Sequence, residues 1–108
     1  MRISYNPRFD ERLESAGDYV AREFGEAASR RFKVTILEAC HMLSIFPYMG
    51  FRLHDLDNGK SSDFRILISG YHAIIYYVGT DAIEIMSLVD MRAEKLASMR
   101  KCIQNAED

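Results

Sequence analysis

Apolar residues recur at helical spacing through the first 45 residues and at strand spacing from Phe64 onwards. Phe9, Leu13, Ala16, Val20 and Phe24 are three or four residues apart, one stripe of a helix. Asn6-Pro7 precedes it, a capping residue followed by proline at the first helical position. Asp18 and Arg22 form an i, i+4 pair on the polar side. Gly25 is a natural stop. A second stripe, Ala28, Phe32, Ile36, Ala39 and Leu43, ends before Pro47, which disfavours helix at Phe46. Two long helices with so short a break form an antiparallel hairpin.

Arg2-Ile3-Ser4-Tyr5 reads as a short first strand. Residues 47–62 hold Pro47, Gly50 and Asp57-Asn58-Gly59 and read as a connection. From Arg65 to Arg92, three β-branched runs are separated by Ser69-Gly70 and Gly79-Thr80-Asp81, the pattern of a three-stranded antiparallel meander. Phe64, Ile66 and Ile68 share one strand face; Arg65, Leu67 and Ser69 share the other. Residues 73–78 are apolar on both faces, which places that strand centrally. Asp90 suits the cap of a last helix, from about Met91 to Gln104, with Leu96, Met99 and Ile103 on one side. The expected fold is α+β: a helical hairpin on a small antiparallel sheet, order β-α-α-β-β-β-α, one domain over residues 1–108.

Composition narrows the function. Charges interrupt every stretch long enough to span a membrane, and the N-terminus lacks the apolar core of a secretory signal, so a cytoplasmic protein is expected. Cys40 and Cys102 are isolated and read as reduced, buried thiols. The net charge is −2, with no lysine- or arginine-rich run, which argues against a non-specific phosphate-binding surface.

No metal-ligand spacing, phosphate-binding loop or nucleophile elbow is present, and no cofactor is called for. His41 falls within the second helix; His54 lies beside Asp55 and Asp57 as a loop residue or a general base. His72 opens the central strand, where it can face a groove. Arg65 is the one charge in its strand, and Arg92 follows the last strand. If those two arginines meet at one end of the sheet, they can hold a phosphate, an RNA backbone or a carboxylate; the alternative is rim arginines paired with Asp63, Asp90 or Glu94.

The chain resembles the RelE/ParE superfamily of toxins from type II toxin–antitoxin systems. The resemblance rests on the first strand, Gly25-Glu26-Ala27-Ala28 at the bend, Phe46-Pro47-Tyr48-Met49-Gly50, Arg65-Ile66-Leu67, and the run from Tyr71 to Arg92. It implies a small cytoplasmic toxin of the growth-inhibiting, plasmid-stabilising kind, neutralised by a cognate antitoxin. RelE-like members cut mRNA on the ribosome; ParE-like members poison DNA gyrase. Transferring the nuclease site gives Arg65 and Arg92 as retained cations, Asp63 in place of a lysine, His72 in place of an arginine, and Ser98 in place of a tyrosine. Asp63 repels phosphate, and the cations fall to two, so the ParE-like branch fits better. A nuclease using His72, Arg65 and Arg92 is the alternative, and an inactive homologue that binds antitoxin a further one. Tyr48, Met49 and Phe51 are the expected antitoxin contacts, read by an amphipathic helix; the alternative is that they simply close the core under the 47–62 loop. Arg92, Lys95, Arg100 and Lys101 make the terminal segment basic, either touching the target or merely solvating a docked helix. A homodimer and a toxin–antitoxin hetero-oligomer both stay open.

Overall fold

The protein is described by a computed structural model covering residues 1–52 and 64–92. Its elements are β1 (Arg2–Tyr5), α1 (Pro7–Phe24), α2 (Glu26–Ile45), β2 (Phe51–Arg52), β3 (Phe64–Ser69), β4 (His72–Val78) and β5 (Ala82–Asp90). The fold is α+β, as the hydrophobic pattern predicts. One strand was missed: β2 lies inside the stretch read as connection. Past Arg92 the helix expected from about Met91 to Gln104, with Lys95, Arg100 and Lys101, falls outside the described residues, as do His54, Asp63, Ser98 and Cys102.

α1 starts where the sequence says it should. The Asn6 side chain accepts a 2.9 Å hydrogen bond from the Arg8 N–H, and Pro7 occupies the first turn. Gly25 ends α1 and begins α2 at φ 95°, a conformation that side-chain-bearing residues avoid. The hairpin is tied by the Ser29 hydroxyl, which donates to the Gly17 carbonyl at 2.7 Å. Lys33 and Glu14 pair across it at 3.1 Å.

The sheet order is β1-β5-β4-β3-β2. β3, β4 and β5 form the expected meander, with β4 at the centre. Gly70, at φ 61°, opens the two-residue turn between Ser69 and His72, as mirror-image hairpin turns require. β1 pairs with β5 in parallel, Arg2 opposite Ala82. No local pattern announced that pairing.

The main core lies between helices and sheet. Phe9 and Leu13 of α1 and Ile36, Cys40 and Leu43 of α2 meet Ile74, Tyr76, Ile83, Ile85 and Leu88. A second cluster, Ile66, Ala73, Ile75, Met86 and Val89, occupies the other sheet face. Strict alternation along β5 would send Ser87, not Leu88, toward the helices. A bulge corrects this: Ile75 faces Ser87 and Tyr76 faces Ile85, so Met86 is the extra residue.

The predicted helix stripes need two corrections. In α2 the buried positions are Ser29, Ile36, Cys40 and Leu43, so the face is rotated, with Ala28, Phe32 and Ala39 on its flank. In α1 burial fades toward the C-terminus, and Phe24 is 71% exposed. An 18-residue helix is about 27 Å long at roughly 1.5 Å per residue. Its last turn overhangs the β3–β4 turn and walls a groove instead of filling the core.

Candidate functional site

Two polar centres sit at opposite ends of β3 and β4. The first is built by the segment leaving α2. Proline at 47 ends the helix, and the chain from Phe46 to Arg52 crosses the sheet as a strap. Tyr76, fully buried in the middle of β4, holds it: its hydroxyl donates to the Pro47 carbonyl and accepts from the Gly50 N–H, each at 2.9 Å. Burial raises the phenol's pKa, outweighing the Gly50 bond and the nearby Arg65 charge, so Tyr76 stays a neutral donor. Arg65 adds a third clasp, donating from Nη1 to the Gly50 carbonyl at 2.7 Å. Gly50 must lack a side chain here. A Cβ would sit 2.5 Å from the Ile66 carbonyl oxygen and 2.7 Å from the Tyr76 hydroxyl.

Held this way, the strap turns apolar side chains outward. Ile45, Phe46, Tyr48, Met49 and Phe51 are all exposed, Tyr48 by 66%. Residues 45–49 line an open hollow of about 530 Å³. Together they form an exposed apolar patch on the strap. Beyond Tyr48 the character changes. Tyr48, Arg52, Arg65, Tyr77 and Val78 line a polar cleft of about 360 Å³. Arg52 and Arg65 are directly opposed in the β2–β3 pair, and the Arg65 guanidinium lies over the Tyr48 ring, 4.8 Å from its centroid.

The second centre lies at the β3–β4 turn. His72, at the start of β4, packs against the Phe32 ring at 5.0 Å between centroids. Burial lowers its pKa below 6.5; the Asp90 charge opposes this and the Arg92 charge reinforces it. Asp90 and Arg92 are bound to each other. Arg92 donates from Nη2 to Asp90 Oδ2 at 2.6 Å and from Nε to Oδ1 at 3.0 Å. That pairing holds the Asp90 carboxyl at about 2. Asp90 Oδ1 also accepts from the Arg92 backbone N–H at 2.9 Å, the reach of a capping carboxylate, although Asp90 is itself the last residue of β5. The Arg92 guanidinium rests 5.1 Å from the Tyr71 ring centroid. Together with Tyr19, Phe24 and Phe32, the residues Tyr71, His72 and Arg92 border a mainly apolar groove of about 340 Å³.

The expectation that Arg65 and Arg92 share one end of the sheet is overturned. In a three-stranded meander the first strand starts and the third strand ends at opposite ends. Arg65 pairs with Tyr76, four residues along β4 from His72, which pairs with Asp90. At about 3.3 Å per residue that is roughly 13 Å along the strand. The structure joins His72 to Arg92 and parts both from Arg65. The Tyr76–Gly50 latch and the Arg52–Arg65 opposition escaped the sequence reading. Glycine closely following proline after a helix was the available signal for the latch. Register, which no local motif reveals, set the arginine pair.

Among the described residues, no group of three or more His, Cys, Asp or Glu side chains could hold a metal. No described helix is long and apolar enough to cross a membrane. Cys40 is buried in the core, and burial pushes its thiol up to about 12, well out of reactive range.

Residues 3–94 match the family described as ParE toxin of type II toxin-antitoxin system, parDE. The chain belongs to that family. It also resembles a chain of the solved structure titled "Chromosomal ParDE TA system from P. aeruginosa", with a TM-score of 0.70 at 14% sequence identity. The similarity spans 83% of this chain and 95% of that one, and at this identity it speaks for the fold. No curated protein matches the chain.

Proposed function

We propose that this ParE-family toxin acts by binding a protein target, DNA gyrase, in the cytoplasm and is neutralised by a cognate antitoxin. The observation that carries the reading is the division of the polar residues. RNA cleavage by 2′-hydroxyl attack needs a base, an acid and cations around one phosphate. Here Arg65 is clasped to Gly50 at one end of the sheet, while Arg92 is spent on Asp90 at the other. His72 is held neutral beside Phe32. That arrangement favours contact over catalysis. The exposed patch at Tyr48, Met49 and Phe51 supports an antitoxin contact, its hollow sized for the apolar anchors of an amphipathic helix.

The test is induction of the chain alone and with its antitoxin. Gyrase-dependent DNA cleavage and ribosome-dependent mRNA cleavage are followed separately. Gyrase poisoning that is relieved by the antitoxin, with intact mRNA, is the expected result. Cutting of mRNA that drops about 100-fold in His72→Ala refutes it in favour of the nuclease. Tyr48→Ala together with Met49→Ala is expected to weaken antitoxin binding while leaving the fold intact.

A further inference from the structure

We propose that the cleft between Arg52 and Arg65 is a binding site for a phosphomonoester, the terminal phosphate of a small ligand. The inference is independent of the toxin reading. It begins with register. Arg52 and Arg65 are direct partners across β2 and β3, so their side chains leave the same sheet face about 5 Å apart at Cβ. Like charges placed this way repel and weaken the free sheet. Among the described residues neither arginine meets a carboxylate, although the whole chain carries more acidic than basic side chains. Two positive charges are brought together in a chain of net charge −2 with no counter-ion among the described residues.

The donors around the cleft match phosphate better than carboxylate. Arg65 is oriented in advance, because its Nη1 is fixed on the Gly50 carbonyl and its plane lies near Tyr48. Arg65, Arg52 and Tyr48 border, with Tyr77 and Val78, one cleft of about 360 Å³ in which the two guanidiniums are the charged donors. A carboxylate offers two oxygens and one negative charge. A phosphomonoester offers three oxygens and close to two charges, and two guanidiniums complement it. Tyr48 is 66% exposed, so part of its ring is open to stack a group attached to the phosphate.

The test uses the full-length chain. Melting temperature and titration calorimetry are measured with inorganic phosphate, with a nucleoside 5′-monophosphate and with succinate, all against chloride at equal ionic strength. Phosphate is expected to raise the melting temperature by about 3 °C or more at saturation, and Arg52→Gln to weaken it about tenfold or more. Because Arg52 is exposed, Arg52→Gln should fold, and relief of repulsion should make the ligand-free variant at least as stable as the parent. Arg65→Gln is the second variant. A nucleotide that binds much more tightly than inorganic phosphate identifies stacking on Tyr48; equal affinity assigns the cleft to the phosphate group alone. The proposal is overturned if chloride does as well, if succinate matches phosphate and marks a reader of acidic peptides, or if Arg52→Gln binds like the parent.

Discussion

Replacing Tyr76 by phenylalanine removes one oxygen and should cost far more than one hydrogen bond. The hydroxyl is the single atom that satisfies both the Gly50 N–H and the Pro47 carbonyl. Gly50 is buried, so its amide finds no water when the hydroxyl goes. A typical net hydrogen bond is worth about 1 kcal/mol, and a buried group left unsatisfied costs about 1–3 kcal/mol. The lost Pro47 bond and the orphaned Gly50 amide come to roughly 2–4 kcal/mol, a large share of a small domain's stability. The assay is equilibrium urea unfolding of Tyr76→Phe beside Tyr77→Phe. Tyr77 neighbours Tyr76 in sequence but is exposed, and its variant should stay within about 0.5 kcal/mol of the parent. An unchanged m-value with a lower midpoint is expected for Tyr76→Phe. A loss below about 0.5 kcal/mol would refute the latch as the device that holds the strap. Loosening of the strap should also weaken antitoxin binding beyond the loss of stability, because Tyr48 and Met49 no longer share one geometry.

Three further outcomes follow from other positions. Gly25→Ala places a side chain at φ 95° with no steric clash around it, so backbone strain alone should cost about 1–3 kcal/mol in thermal or urea unfolding. Ser87 buries a hydroxyl without a hydrogen-bond partner among the described residues, so Ser87→Ala should be neutral or stabilising by about 1 kcal/mol. His72 should titrate below 6.5 by NMR. Since the unfolded chain then binds the proton more readily, its contribution to stability is complete above 6.5 and declines as pH falls through that value toward the folded pKa.

The residues that specify local structure were readable. Asn6-Pro7, Gly25, Pro47 and Ser69-Gly70 each fix a backbone event within a few residues, and the structure places an element boundary at or beside each one. The two-sided apolar run of β4 likewise reported its central position. What stayed hidden depends on partners distant in sequence. The parallel β1–β5 pairing, the bulge at Met86 and the opposition of Arg52 to Arg65 are matters of register between segments that carry no mutual signature. The misplacement of Arg65 and Arg92 has a different cause: strand direction in the predicted meander already sends the start of the first strand and the end of the third to opposite ends. Tyr76 looked like one more apolar residue in an apolar strand; its role is set by the backbone that happens to cross above it.

The pairing of β1 with β5 also governs when this toxin can exist. Arg2 waits for Ala82, eighty positions later in the chain, before the sheet closes. During synthesis the hairpin emerges first, with Phe9, Leu13, Ile36, Cys40 and Leu43 facing a sheet that has not yet been made. Long-range pairing of this kind cannot reward the early residues until the loop is closed. A chain that stops short of β5 lacks the strand that β1 pairs with and the Ile83, Ile85 and Leu88 side chains of the main core. Whatever the folded surface binds, it exists only once β5 has been made.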